Sequence, residues 1–218
     1  MRISRIVKLV VGLAAIFFLP WLFFTTLQDT IAQPYDASEF PFSGWTLTLN
    51  DGVSPGGAAL GLQPPTMLPS SLFDQLFERT MTSMTTPGGS VMPIVLRSEL
   101  RGEVGTVLAL EEILEMARAA GLERVTLDPV CMAVKRQPFS GRTRELYFVV
   151  FDSPETLAFR RHLHDLVAER GVDGAFTDDR LDLVLPIAGS DARFDTWWPL
   201  EVDLDTDCQA PILWEPLI

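Results

Sequence analysis

From Leu9 to Phe24 the chain reads LVVGLAAIFFLPWLFF, sixteen residues without a charge, and widening the stretch to 6–27 adds only Lys8. Those 22 residues, as a helix rising about 1.5 Å per residue, would reach about 33 Å, enough for a hydrocarbon core of roughly 30 Å. A single N-terminal transmembrane helix over 1–27 is therefore expected, carried by Leu9, Phe17, Phe18, Trp21, Phe23 and Phe24. Lys8 can reach back to the headgroups, Pro20 is better tolerated in a spanning helix than in water, and Trp21 sits near one boundary, where an indole is at home. Arg2, Arg5 and Lys8 precede the stretch, and no basic residue follows it until Arg79. That asymmetry favours a cytoplasmic N-terminus and a periplasmic or otherwise extracytoplasmic domain. A cleaved signal peptide is the competing reading, with Thr30 and Ala32 as the small residues before Gln33. The length of the apolar run and its ending in Phe23 and Phe24 favour a retained anchor.

After the apolar stretch the pattern breaks up. Residues 28–69 hold Pro34, Pro41, Pro55, Pro64, Pro65 and Pro69, which remove backbone donors and point to a linker or extended arm. Tyr35, Phe40, Phe42 and Trp45 are too many aromatics for an idle tether, so part of the arm is expected to pack on the domain or on a partner. The alternation from Trp45 to Leu49 reads as an edge strand. Leu72, Phe73, Leu76 and Phe77 share one helical face, predicting a helix over 71–81 with Ser71 and Asp74 in capping positions. Residues 93–100 are expected to form a second helical piece, and 110–120 a firmer helix stopped by Gly121.

The period then changes. Val130, Met132 and Val134 alternate, 145–151 is a run of strand formers, and 137–142 between them carries Pro138 and Gly141, which predicts a hairpin. Ser153-Pro154-Glu155 opens a helix that closes at Gly171. Residues 181–186 supply another strand, and 190–198 a short helix presenting Phe194, Trp197 and Trp198. Strand, strand, helix, strand in this order describes an α+β domain over 70–218, an antiparallel sheet covered by helices.

Charge narrows the partners. Beyond the apolar stretch stand 14 basic against 29 acidic residues, a formal charge of −15. Such a surface repels phosphate backbones, so no nucleic-acid partner is expected. Cys131 and Cys208 are the only cysteines; they fit neither a redox pair nor a zinc site, and in an oxidising compartment they are expected to form a disulfide. His162 and His164 lie two apart on a predicted helix, about 200° around it, so one ion cannot meet both. Asp178, Asp179 and Asp182 form one acidic cluster, and Glu201, Asp203, Asp205 and Asp207 form a second that would align carboxylates on one face of a strand. The EF-hand pattern is missing, and so are the nucleophile elbow, the P-loop and the dinucleotide fingerprint, so no catalytic residue and no cofactor is assigned.

Tyr35, Phe40, Phe42, Trp45, Trp197, Trp198 and Trp214 are the candidate contact residues, because large aromatics dominate interface energetics. The preferred expectation is a membrane-anchored, non-catalytic accessory or structural subunit that docks on a larger membrane protein complex. The alternatives are an envelope hydrolase built on the acidic clusters, with or without a metal, and a periplasmic sensor with an enclosed apolar pocket for a small ligand.

Overall fold

Two long strands, β5 (Asp128–Phe139) and β6 (Arg142–Asp152), dominate the molecule because Ser140 and Gly141 turn the chain in two residues. Both turn residues have positive φ, 49° and 76°, the geometry of the tight hairpin loop whose twist matches its strands. The strands therefore run on through Gln137 and Pro138, which the sequence pattern had placed in the loop. A computed structural model describes residues 32–49, 57–172 and 182–214, together with Ile16, Phe18, Leu22 and Thr30. The expected membrane anchor lies outside these residues, apart from Ile16, Phe18 and Leu22, which are helical and exposed. Among the described residues no helix is long and apolar enough to cross a membrane.

Pro34–Ile218 form one compact unit. Within it, β1 (Tyr35–Asp36) pairs in parallel with β9 (Ile212–Leu213). β2 (Thr46–Leu49), β3 (Ala58–Gln63) and β4 (Met92–Leu96) form a three-stranded antiparallel sheet with β3 in the middle. A four-stranded antiparallel sheet has the order β7-β6-β5-β8, with β7 at Leu183–Gly189 and β8 at Cys208–Ala210. Among the described residues three helices exceed two turns: α1 (Met67–Thr80), α2 (Leu110–Ala119) and α3 (Pro154–Glu169).

The run Leu146-Tyr147-Phe148-Val149-Val150-Phe151 in β6 is apolar at every position because both faces of its sheet are covered. Tyr147, Val149 and Phe151 enter the main core with Leu68, Leu72 and Leu76 of α1, Ile113 and Ala117 of α2, and Phe159, Leu163 and Val167 of α3. Leu146, Phe148 and Val150 face the other way, into a smaller core closed by Phe194, Trp197 and Leu200. A bulge between Pro129 and Cys131 turns Val130 outward while Met132 and Val134 stay in the main core.

The arm packs on the domain, as its aromatics predict, and does so from Pro34 on: Tyr35, Phe42 and Trp45 are buried, and Trp45 meets Phe151 edge to face at 5.3 Å. Three expectations change. α1 begins at Met67, not near Ser71, since Pro69 falls in the first turn, where its missing N–H has no intrahelical partner to lose. Leu68, Leu72 and Leu76 make its buried face, which leaves Phe77 45% exposed. Residues 92–96 form a strand where a helical piece was expected, because Ile94 and Val95 are buried on both sides; a single helical turn, Arg97–Glu99, follows it. The helix opened by Ser153 conforms to its signal, with the Ser153 hydroxyl accepting from the Thr156 N–H.

Candidate functional site

The β5–β6 hairpin outruns its neighbours. β8 pairs with β5 only at Met132 and Ala133, and β7 pairs with β6 no further toward the turn than Leu146. The end of the hairpin is a two-stranded ribbon, and it carries Lys135, Arg136, Arg142 and Arg144, four of the 14 basic residues that follow the apolar stretch. Two of these cations are neutralised by neighbours. Lys135 Nζ meets Asp207 Oδ2 at 2.7 Å, and Arg136 Nε donates to Glu145 Oε1 at 2.7 Å.

Arg144 is placed differently. The residue is 8% exposed, yet among the described residues the guanidinium donates only to uncharged oxygens: Thr196 Oγ1 at 2.6 Å, Gln137 Oε1 at 2.9 Å and the Thr196 carbonyl at 3.2 Å. Phe139 lies 5.0 Å and Trp197 4.1 Å from its central carbon, so two aromatic rings hold the group. Its Nε is buried with no hydrogen-bond partner. Beside it opens a solvent-facing basin of about 600 Å³ lined by Phe139, Ser140, Arg142, Thr143, Arg144, Ser190 and Asp191. Arg193 comes over the outer Phe139 ring at 5.5 Å. The lining thus carries two arginines, Arg142 and Arg144, and one carboxylate, Asp191, in a domain that is acidic overall.

No protein-family model, curated protein or solved structure matches this chain.

The aromatic candidates divide. Tyr35, Phe42, Trp45 and Trp197 are core residues with at most 4% exposure; Phe40, Trp198 and Trp214 are half-buried. Trp197 alone of the set packs against a lining residue of the basin, as a ring against the Arg144 guanidinium. The sequence pattern does not single out these arginines, because their stretch reads as a turn and the overall acidity hides a local excess of positive charge. Four basic residues within ten, with Phe139 among them, were the available signal.

The acidic clusters do not assemble. Asp178 and Asp179 lie outside the described residues. Leu204–Asp207 is a helical turn and not an alternating strand, so its carboxylates do not share a face. Asp203 caps that turn by accepting from the Asp205 N–H, the buried Asp207 accepts from Lys135 and from the Asp203 N–H, and Asp182 accepts from the Val202 N–H at 2.7 Å. These carboxylates hold a loop in place. Among the described residues no group of three or more His, Cys, Asp or Glu side chains could hold a metal ion. His162 is exposed, and His164 Nδ1 lies 3.3 Å from Asp165 on the same helix. Two further depressions, about 210 Å³ beside the start of α1 and about 190 Å³ between Arg97 and Trp198, are open to solvent as well and do not form the enclosed apolar pocket a sensor needs.

Cys131 and Cys208 are joined, with Cα atoms 5.8 Å apart. The bond ties β8, and with it the segment that carries Trp197, to β5.

Tyr147 roots the hairpin by donating to Glu145 Oε2 at 3.0 Å. Burial, reinforced by the Glu145 charge, pushes its phenol up to about 12 from an ordinary value of 10. Because the folded state resists ionisation, this group stabilises the fold fully below pH 10, and the stabilisation is lost as pH rises through 12. Urea midpoints taken between pH 9 and 11 should fall more steeply in the wild type than in Tyr147→Phe. Equal slopes would refute this assignment.

Proposed function

We propose that the chain is a membrane-tethered, non-catalytic accessory subunit whose domain docks on a larger membrane protein assembly through the hairpin tip. The observation that carries the docking surface is the Arg144 site, a buried cation with no neutralising carboxylate among the described residues, on a ribbon that projects beyond its sheet. The apolar stretch at 6–27 and the basic residues on one side of it support the tether and its orientation. The carboxylate hydrolase draws less support, since Asp182 and Asp207 hold the loop around 200–207.

Two measurements separate tether from docking. Alkaline carbonate extraction should leave the full chain in the membrane pellet, and recovery of full-length protein in the wash would refute the tether. Blue-native electrophoresis in mild detergent should show the chain in a discrete band well above the 24.2 kDa of its monomer. Migration solely as that monomer would refute docking.

A further inference from the structure

We infer that the basin at the hairpin tip is a receptor for a single carboxylate on an acidic segment of the docking partner, with Arg144 as its fixed cation. The inference rests on the docking reading and adds the chemistry of the partner.

A cation removed from water needs a counter-charge, and the acceptors around Arg144 supply dipoles alone. Its buried Nε–H has no acceptor and belongs to a group that lines the basin. Clamped between Phe139 and Trp197, the guanidinium loses little freedom when it binds, the condition under which arginine recognises carboxylates well. Ser190 adds a donor, because its Oγ accepts from the Glu145 N–H and keeps its own hydroxyl proton to give. Arg142 stands exposed on the rim.

The size of the charge excess selects the ligand. Asp191 shares the lining, and its Oδ1 accepts from the Arg193 N–H, so a negative charge already faces the basin. A formal −14 in the same domain, 14 basic against 28 acidic residues from Pro34 on, opposes a polyanion. One carboxylate satisfies Arg144 without building up further repulsion. A partner held in the same membrane presents that carboxylate at high effective concentration, which lets a single ionic contact count.

The test uses the full chain in zwitterionic nanodiscs and three probes: the capped peptide Ala-Ala-Glu-Ala, which carries one carboxylate, its Gln-for-Glu counterpart, and inorganic phosphate. Titration calorimetry and the ¹⁵N signal of Arg144 Nε–H report binding. The glutamate peptide should bind saturably and shift that signal, and Arg144→Lys or Arg142→Gln should each weaken it about tenfold, the loss of one charge-assisted hydrogen bond. Absence of binding, equal binding of the glutamine peptide, or undiminished binding in both variants overturns the inference. Tighter binding of phosphate also overturns it, in favour of a small-anion site. Arg142 lies on the exposed rim, so its variant keeps the test decisive if Arg144→Lys does not fold. A high-mass native band without peptide binding defeats this inference and leaves docking standing; peptide binding by a chain that migrates only as a monomer defeats docking, and with it the partner, and leaves only the carboxylate site.

Discussion

Replacing Cys131 and Cys208 together with alanine should lower the unfolding free energy of the domain by about 4 kcal/mol, the loop-entropy value for so long a closed loop. The two cysteines lie 77 residues apart in sequence and join an edge strand to the middle of the four-stranded sheet. β8 has only three residues and pairs with β5 at two positions, so hydrogen bonding by itself holds it weakly. Without the bond, Phe148, Val150, Phe194 and Trp197 would lose the strap that closes their core. Urea denaturation of the full chain in mild detergent measures the difference, and adding reductant to the wild type should reproduce most of it. A change below about 1 kcal/mol would mean that packing alone holds the segment.

Arg160→Met should cost about 3–5 kcal/mol, the usual penalty for stranding one partner of a buried ion pair. Arg160 is 1% exposed and joins α3 to the end of β4, donating to the Ile94 carbonyl and to both oxygens of Glu99, the nearer at 2.7 Å. Glu99 in turn accepts from the Leu96 N–H at 2.6 Å, which fixes the turn that follows the strand. Methionine can fill much of the space, so the loss comes chiefly from a carboxylate left without its cation. Arg160→Met with Glu99→Gln should therefore recover about 1 kcal/mol or more relative to Arg160→Met. Simple additivity of the two substitutions would contradict that origin.

Much of the second half of the domain was legible along the chain, because its signals are local. Ser153-Pro154 carries a cap and a fixed φ, Gly121 and Gly171 take the positive φ of helix ends, and Gly141 marks the hairpin turn. The disulfide followed from there being only two cysteines, and it is present. Long-range packing was harder to read. The five residues Met92–Leu96 are apolar without alternation, a pattern shared by a buried strand and a buried helix. Tyr35, Phe42 and Trp45 stand in a proline-rich arm where large aromatics suggest contact residues, yet all three are buried, Phe42 and Trp45 against Phe151 and Tyr35 beneath Arg79. Prolines remove hydrogen bonds but do not keep a side chain out of a core. The candidate site was the least legible, since it joins β6 to a loop 52 residues away through Arg144 and Thr196, and no local pattern encodes that meeting.

Site-specific photocrosslinking in intact membranes bears most directly on the docking surface. A benzophenone side chain at Ser140, at the exposed end of the hairpin, should yield one discrete adduct, while the same group at the exposed Glu169 on α3 should yield none. No adduct from Ser140, or the same adducts from both positions, would contradict the account.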